Sequence, residues 1–180
     1  MATPTTLPAT FVAGNVLTAA QMNNIRGAFR VLQVVSTTKT DTFSASLAAG
    51  ATSDITGLTA TITPSATSSL ILVLALVNKG TYGGIVLKRG ATEIAIGTSV
   101  SNRNAVSTSS MIGTDGNQSM FVGMHTLDNP ATTSAITYGV ALHQTIAGTA
   151  TCYCNRSDTD TDSTASSRSV SSITVMEISA

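Results

Sequence analysis

From residue 31 onward, apolar and polar positions alternate in short runs broken by turn residues, the two-residue period of β-strands. Residues 31–43 alternate loosely, with Val31, Gln33 and Val35 opposed to Leu32 and Val34. Residues 52–63 alternate more cleanly through Ile55, Leu58, Ala60 and Ile62, and a Pro64-Ser-Ala-Thr-Ser-Ser turn follows. The eight-residue run from Leu70 to Val77 shows no alternation and reads as a strand buried on both faces. Residues 85–88 and 93–96 flank Arg89-Gly90-Ala91-Thr92 as a hairpin. Residues 98–118, rich in Ser, Asn and Gly, read as a long loop. Strands over 120–127 and 136–144 are separated by Asp128-Asn129-Pro130, a turn signal. A short strand over 149–154, a polar loop over 155–169 and a terminal strand over 170–178 complete the pattern.

The first thirty residues behave differently. Residues 1–16 are rich in Pro and Thr, and Pro4 and Pro8 bias their predecessors toward extended backbone. Thr18 and Gln21 stand at capping-box spacing, and Met22, Ile25 and Phe29 share one face of a three-turn helix. So short a helix is marginal alone and needs a surface to dock on, either its own domain or another subunit. The expected organisation is an arm with a short helix over 1–30 and a mainly β domain over 31–180. About eight or nine short strands with turns between them predict an antiparallel β-sandwich, with a jelly roll as the leading topology.

Composition supports this reading. Thr and Ser fill close to three in ten positions, and Thr favours strands because its branched Cβ suits the pleat. Only 10% of residues are charged and the net charge is zero. Nine scattered Lys and Arg residues form no basic patch, so nucleic acid is not an expected partner. The longest apolar run is far short of the ~20 residues that span a bilayer, so membrane insertion is not expected either. The opening residues lack the charged and apolar regions of a signal peptide. Assembly in a reducing cytoplasm is therefore expected. A chain so poor in charge suits fixed subunit contacts better than free diffusion.

Candidate chemistry is sparse. Asp158, Asp160 and Asp162 have the first three spacings of a calcium loop, but Ser163 and Ser169 replace the Gly and Glu that an EF-hand needs. A solvated acidic loop is preferred to an irregular calcium site, and no cofactor is expected. Cys152 and Cys154 on one strand face would hold their thiols about 7 Å apart, too far for a mutual disulfide. Buried free thiols are preferred to an inter-subunit disulfide or a zinc site. His125 and His143 could meet only if their strands were neighbours. No Gly-x-Ser-x-Gly elbow or pair of neighbouring glutamates appears, and Glu93 and Glu177 are the only two glutamates, so an enzyme is not expected. The 98–118 loop, with Asn102, Arg103, Asn104 and Asn117, is the expected exposed contact surface.

The segment from Phe11 to Arg26 carries a resemblance. Its Ala13, Gly14, Leu17, Thr18, Ala19, Met22, Asn23 and Arg26 match the opening of many tailed-bacteriophage minor tail and fibre-like proteins. Residues 34–63 and the ending Ser172-Ile-Thr-Val-Met-Glu-Ile178 resemble the first and last strands of a domain found in virion proteins. The resemblance implies an N-terminal attachment segment and, commonly, a homotrimer. It implies a virion protein whose partners are other tail or capsid subunits. Docking on the particle would then fall to Leu17, Met22, Ile25 and Phe29. A tail-associated fibre or minor tail protein is the leading expectation, with a capsid decoration or head-fibre protein as the alternative. An adhesin binding a glycan or protein of the host surface is a third, weakened for sugars by the absence of Trp and the presence of only three Tyr.

Overall fold

The structure, a computed structural model, describes residues 31–109, 116, 118–164 and 166–179, together with Gly14, Val16, Thr18 and Ala19. The expected docking positions Leu17, Met22, Ile25 and Phe29 lie outside the described residues, as do most of the arm and its helix.

The described chain is mainly β. Eleven strands follow in order: β1 (Val31–Lys39), β2 (Phe43–Leu47), β3 (Thr52–Ile62), β4 (Leu70–Lys79), β5 (Gly84–Arg89), β6 (Thr92–Ile94), β7 (Thr108–Ser109), β8 (Met120–Asp128), β9 (Ile136–His143), β10 (Ala150–Cys154) and β11 (Ser171–Ile178). They form two antiparallel sheets, as the alternation predicts. The first sheet holds β1, β11, β4 and β8 side by side, with β10 and β2 continuing beside the end of β4. The second runs β3-β9-β5-β6, with β7 also on β5. The chain switches sheets between β2 and β3, β3 and β4, and again at β5, β8, β9 and β10.

Each sheet turns one set of alternate side chains inward. From the first come Ile71, Val73, Ala75 and Val77 of β4 and Ile173 and Val175 of β11; from the second come Leu58, Ile62, Leu87, Tyr138, Val140 and Leu142. Each fully buried aliphatic side chain contributes about 1.5–3 kcal/mol by removal from water. The β3–β9 register slips between Asp54 and Thr59, and Gly57 takes up the irregularity at φ +82°, a conformation that a Cβ disfavours.

Two expectations about strands need correction. The expected strand over 31–43 is two strands. β1 pairs with β11 up to Lys39, and β2 begins at Phe43 against β10. At the break sits buried Asn155, whose Nδ2 donates to the carbonyls of Lys39 and Asp41, both at 2.9 Å. Its Oδ1 accepts from Ser171 Oγ at 2.6 Å, and that hydroxyl accepts from the Asn78 amide at 3.0 Å. One amide side chain thus satisfies the backbone where β10 and β11 meet end to end. The second correction concerns β4. Its run from Leu70 to Val77 is buried on one face only, since Leu74 and Leu76 are exposed. A two-layer sandwich covers the inner face of each sheet and leaves the outer face to solvent or to a partner.

Candidate functional site

The outer face of the first sheet exposes large apolar side chains. Four strands contribute to it in register. Val34, Met176, Leu72 and Leu127 form one row straight across β1, β11, β4 and β8. The next row holds Ser36, Thr174, Leu74 and His125, and the one after it Thr38, Ser172, Leu76 and Gly123. Phe121 stands beyond, beside Asn78. Val34 is 54% exposed, Leu76 47%, Phe121 48% and Leu127 55%. No Lys, Arg, Asp or Glu occupies any outward position in these rows. Gly123 lacks a side chain between Leu76 and the neighbouring strand positions, and this leaves a shallow hollow of about 300 Å³ walled by Leu74, Leu76, His125 and Thr174.

The residues singled out from the sequence do not converge. Asn102, Arg103 and Asn104 are exposed on a loop held by the Gly97 amide on the Val106 carbonyl and by Ser99 Oγ on the Arg103 carbonyl. Asn117 lies outside the described residues, and the stretch expected as plain loop contains β7. The acidic loop does not gather around one point. Asp158 Oδ1 accepts from the Thr81 amide at 2.9 Å. Asp160 takes two hydrogen bonds from Arg168, at 3.1 and 2.7 Å, which hold its carboxyl below the usual carboxylate range. Asp162 is exposed at the surface. Among the described residues no group of three His, Cys, Asp or Glu side chains is placed to hold a metal ion.

His125 and His143 stand in different sheets, the first on the exposed face just described and the second buried at the end of β9 with Nδ1 2.9 Å from Thr52 Oγ1. Burial lowers the pKa of His143. Cys152 and Cys154 are both buried, free and pushed up by burial, so neither presents a reactive thiolate. Beside Cys152 lies Lys79, also buried, whose ammonium donates to the carbonyls of Gly80 and Thr81. Burial pulls its pKa down to about 8, against the opposing pull of Cys152 and Asp158.

Sequence reasoning missed two polar clusters, one fastening β11 and β1 to the β3–β4 turn and one joining the two sheets. Glu177 is buried near the end of β11. Its Oε1 accepts from the Ser65 amide, Ser65 Oγ and Ser69 Oγ at 2.6–2.7 Å, and its Oε2 from Gln33 Nε2 at 2.6 Å. Burial alone would raise its pKa, but these donors outweigh it and draw the carboxyl down to about 2. At the far end of β8, Asp128 accepts from Arg89 Nη1 at 2.9 Å and from Tyr138 Oη at 2.6 Å. That cluster joins β8 of the first sheet to β5 and β9 of the second. A charged residue interrupting an apolar strand was the available signal for Glu177. Nothing in the spacing pairs Asp128 with Arg89.

No family model matches this chain, and no curated protein matches it. A solved structure of a mutant VP2 protein of infectious bursal disease virus, in derived T=1 particles, is similar over 81% of this chain at 15% identity and a TM-score of 0.35. The match spans 36% of that VP2 chain.

Proposed function

We propose that this chain is a structural protein of a tailed-bacteriophage particle, a tail-associated fibre or minor tail protein without enzymatic activity. Residues 1–30 attach it, and the sandwich that begins at Val31 is displayed. The observation that carries the reading is the Phe11–Arg26 segment, whose resemblance to phage tail-protein openings is the most specific feature of the sequence. That segment ends only five residues before β1, an edge strand of the first sheet. An arm on an edge strand can engage another subunit without disturbing the core. A jelly roll is the topology we favour, since from β2 to β5 and from β7 to β10 the chain passes from one sheet to the other at every step. The acidic and basic side chains discussed above are spent on holding strands and loops together, as Glu177, Asp128 and Asp160 illustrate. The function is therefore binding: apolar burial at the arm, repeated over the copies of the assembled protein to give avidity.

Deleting residues 1–30 tests the reading. The shortened chain is expected to keep its circular dichroism spectrum and cooperative unfolding but to be absent from particles assembled in infected cells. An unfolded truncation, or one incorporated at the normal level, would refute the separate anchor. Immunogold labelling of particles places the protein on tail or head, and head labelling would favour the decoration or head-fibre alternative.

A further inference from the structure

We infer that the outer face of the first sheet is an interface between copies of this chain, buried against the same face of a second copy. The inference deepens the proposed function by assigning the surface through which two copies meet, as a two-fold pair in place of the homotrimer that the resemblance implies. It starts from β4, which is apolar on both faces although its own sandwich covers only one. Leu72, Leu74 and Leu76 have no role in the internal core, yet they sit in the middle of the sheet rather than at a frayed edge.

Size argues for a macromolecular partner. Four strands about 4.8 Å apart and nine residues long at about 3.4 Å each make a face of roughly 600 Å² in projection. That is of the same order as the ~800 Å² that a stable pair buries on each partner, and its apolar part is the Val34–Leu127 row with Leu74, Leu76 and Phe121.

Chemistry argues for a second copy. The outward positions carry no formal charge, so a partner bearing Lys, Arg, Asp or Glu would bury it unpaired, at a high cost. The same face of another copy is flat, uncharged and equal in dimensions. Its protruding Leu and Phe side chains can enter the hollow at Gly123. Sheet on sheet, about 10 Å apart, is also the packing that the molecule uses in its own core.

Light scattering of the purified full-length chain should give at least twice the 18.3 kDa monomer mass. Leu76→Glu and Phe121→Glu, each at a half-exposed outward position, should lower it to one chain while the folded spectrum is kept. Thr61→Glu, on the outer face of the second sheet, should leave the mass unchanged. Gly123→Cys should be joined between copies by a bifunctional thiol reagent of about 10 Å reach, because the native thiols are buried; Thr61→Cys should not. A Cβ at Gly123 meets nothing closer than a Leu76 methyl at 3.8 Å, so the fold accepts the substitution. A monomeric wild-type chain, or variants that stay assembled with no Gly123→Cys cross-link, would overturn the inference. Self-association does not depend on particle incorporation, so a chain that associates through this face yet never enters particles sinks only the proposed function.

Discussion

The two sheets share one core but have opposite outer faces. On the first, a row of Val34, Met176, Leu72 and Leu127 crosses all four strands. On the second, the exposed outward positions include Thr59, Thr61 and Thr137, with Lys88 paired to Asp54 at 2.6 Å. Thr61 and Thr137 join their hydroxyls across the strands at 2.7 Å, so even the polar groups of that face are satisfied in place. Both sheets have the same strand geometry and twist constraints, so backbone architecture does not explain the contrast. It lies in the choice of outward residues. The outward residues of the second sheet suit water, whereas the first presents an uncharged face with exposed Val, Leu and Phe, the one we infer to meet a second copy.

The largest effect that separates inward from outward positions is expected within β4 itself. Ile71→Ala, inside the core, should cost about 2–5 kcal/mol in urea unfolding. Leu74→Ala, three residues along but outward, should cost well under 1 kcal/mol in a monomeric background such as Leu76→Glu. Equal costs would mean that the outward leucines already serve the core.

Next in size is the polar clamp at Glu177. Glu177→Ala leaves Ser65, Ser69 and Gln33 donors without their acceptor and should cost about 2–3 kcal/mol in the same assay. The pH dependence has a definite sign. The folded carboxyl titrates at about 2, below the ordinary value of 4.5, so it contributes stability above pH 4.5. That contribution is lost as pH falls from about 4.5 toward 2. Glu177→Gln should flatten this part of the unfolding-versus-pH curve, and an unchanged acid limb would contradict the assignment.

A smaller loss is expected at the link between sheets. Tyr138→Phe removes one hydrogen bond to Asp128 and should cost about 1 kcal/mol. Smallest of all is the second sheet's outer face, where Thr59→Ser should lie within about 0.5 kcal/mol of wild type.

Much of the fold was legible because a half-buried strand alternates with a period of two. Thr52–Ile62, Leu70–Lys79, Met120–Asp128 and Ser171–Ile178 all stand close to where alternation, apolar runs and turn residues put them. The break between Lys39 and Phe43 was not legible, because it depends on Asn155, more than a hundred residues away in sequence. Burial of β4 was misread for a related reason. A continuous apolar run says that both faces avoid water, but it does not say whether the second face is covered by the same chain. For the site, the exposure of Asn102, Arg103 and Asn104 was legible from their loop composition. The divergence of Asp158, Asp160 and Asp162 was not, since each is drawn off by a partner set by tertiary structure: the Thr81 amide, Arg168 and solvent.

The contrast between the two faces is tested most directly by covalent footprinting of the full-length protein in solution, with a small carbene probe that labels exposed side chains of any type. Labelling at Leu74, Leu76, Phe121 and Leu127 is predicted to be at least several-fold lower than their exposure in a single chain requires, and to rise in the Leu76→Glu variant at the remaining three. Labelling at Thr59, Thr61 and Thr137 is predicted to stay high in both. Full labelling of the leucine face in the wild-type protein would contradict the account, because that face would then be open to water.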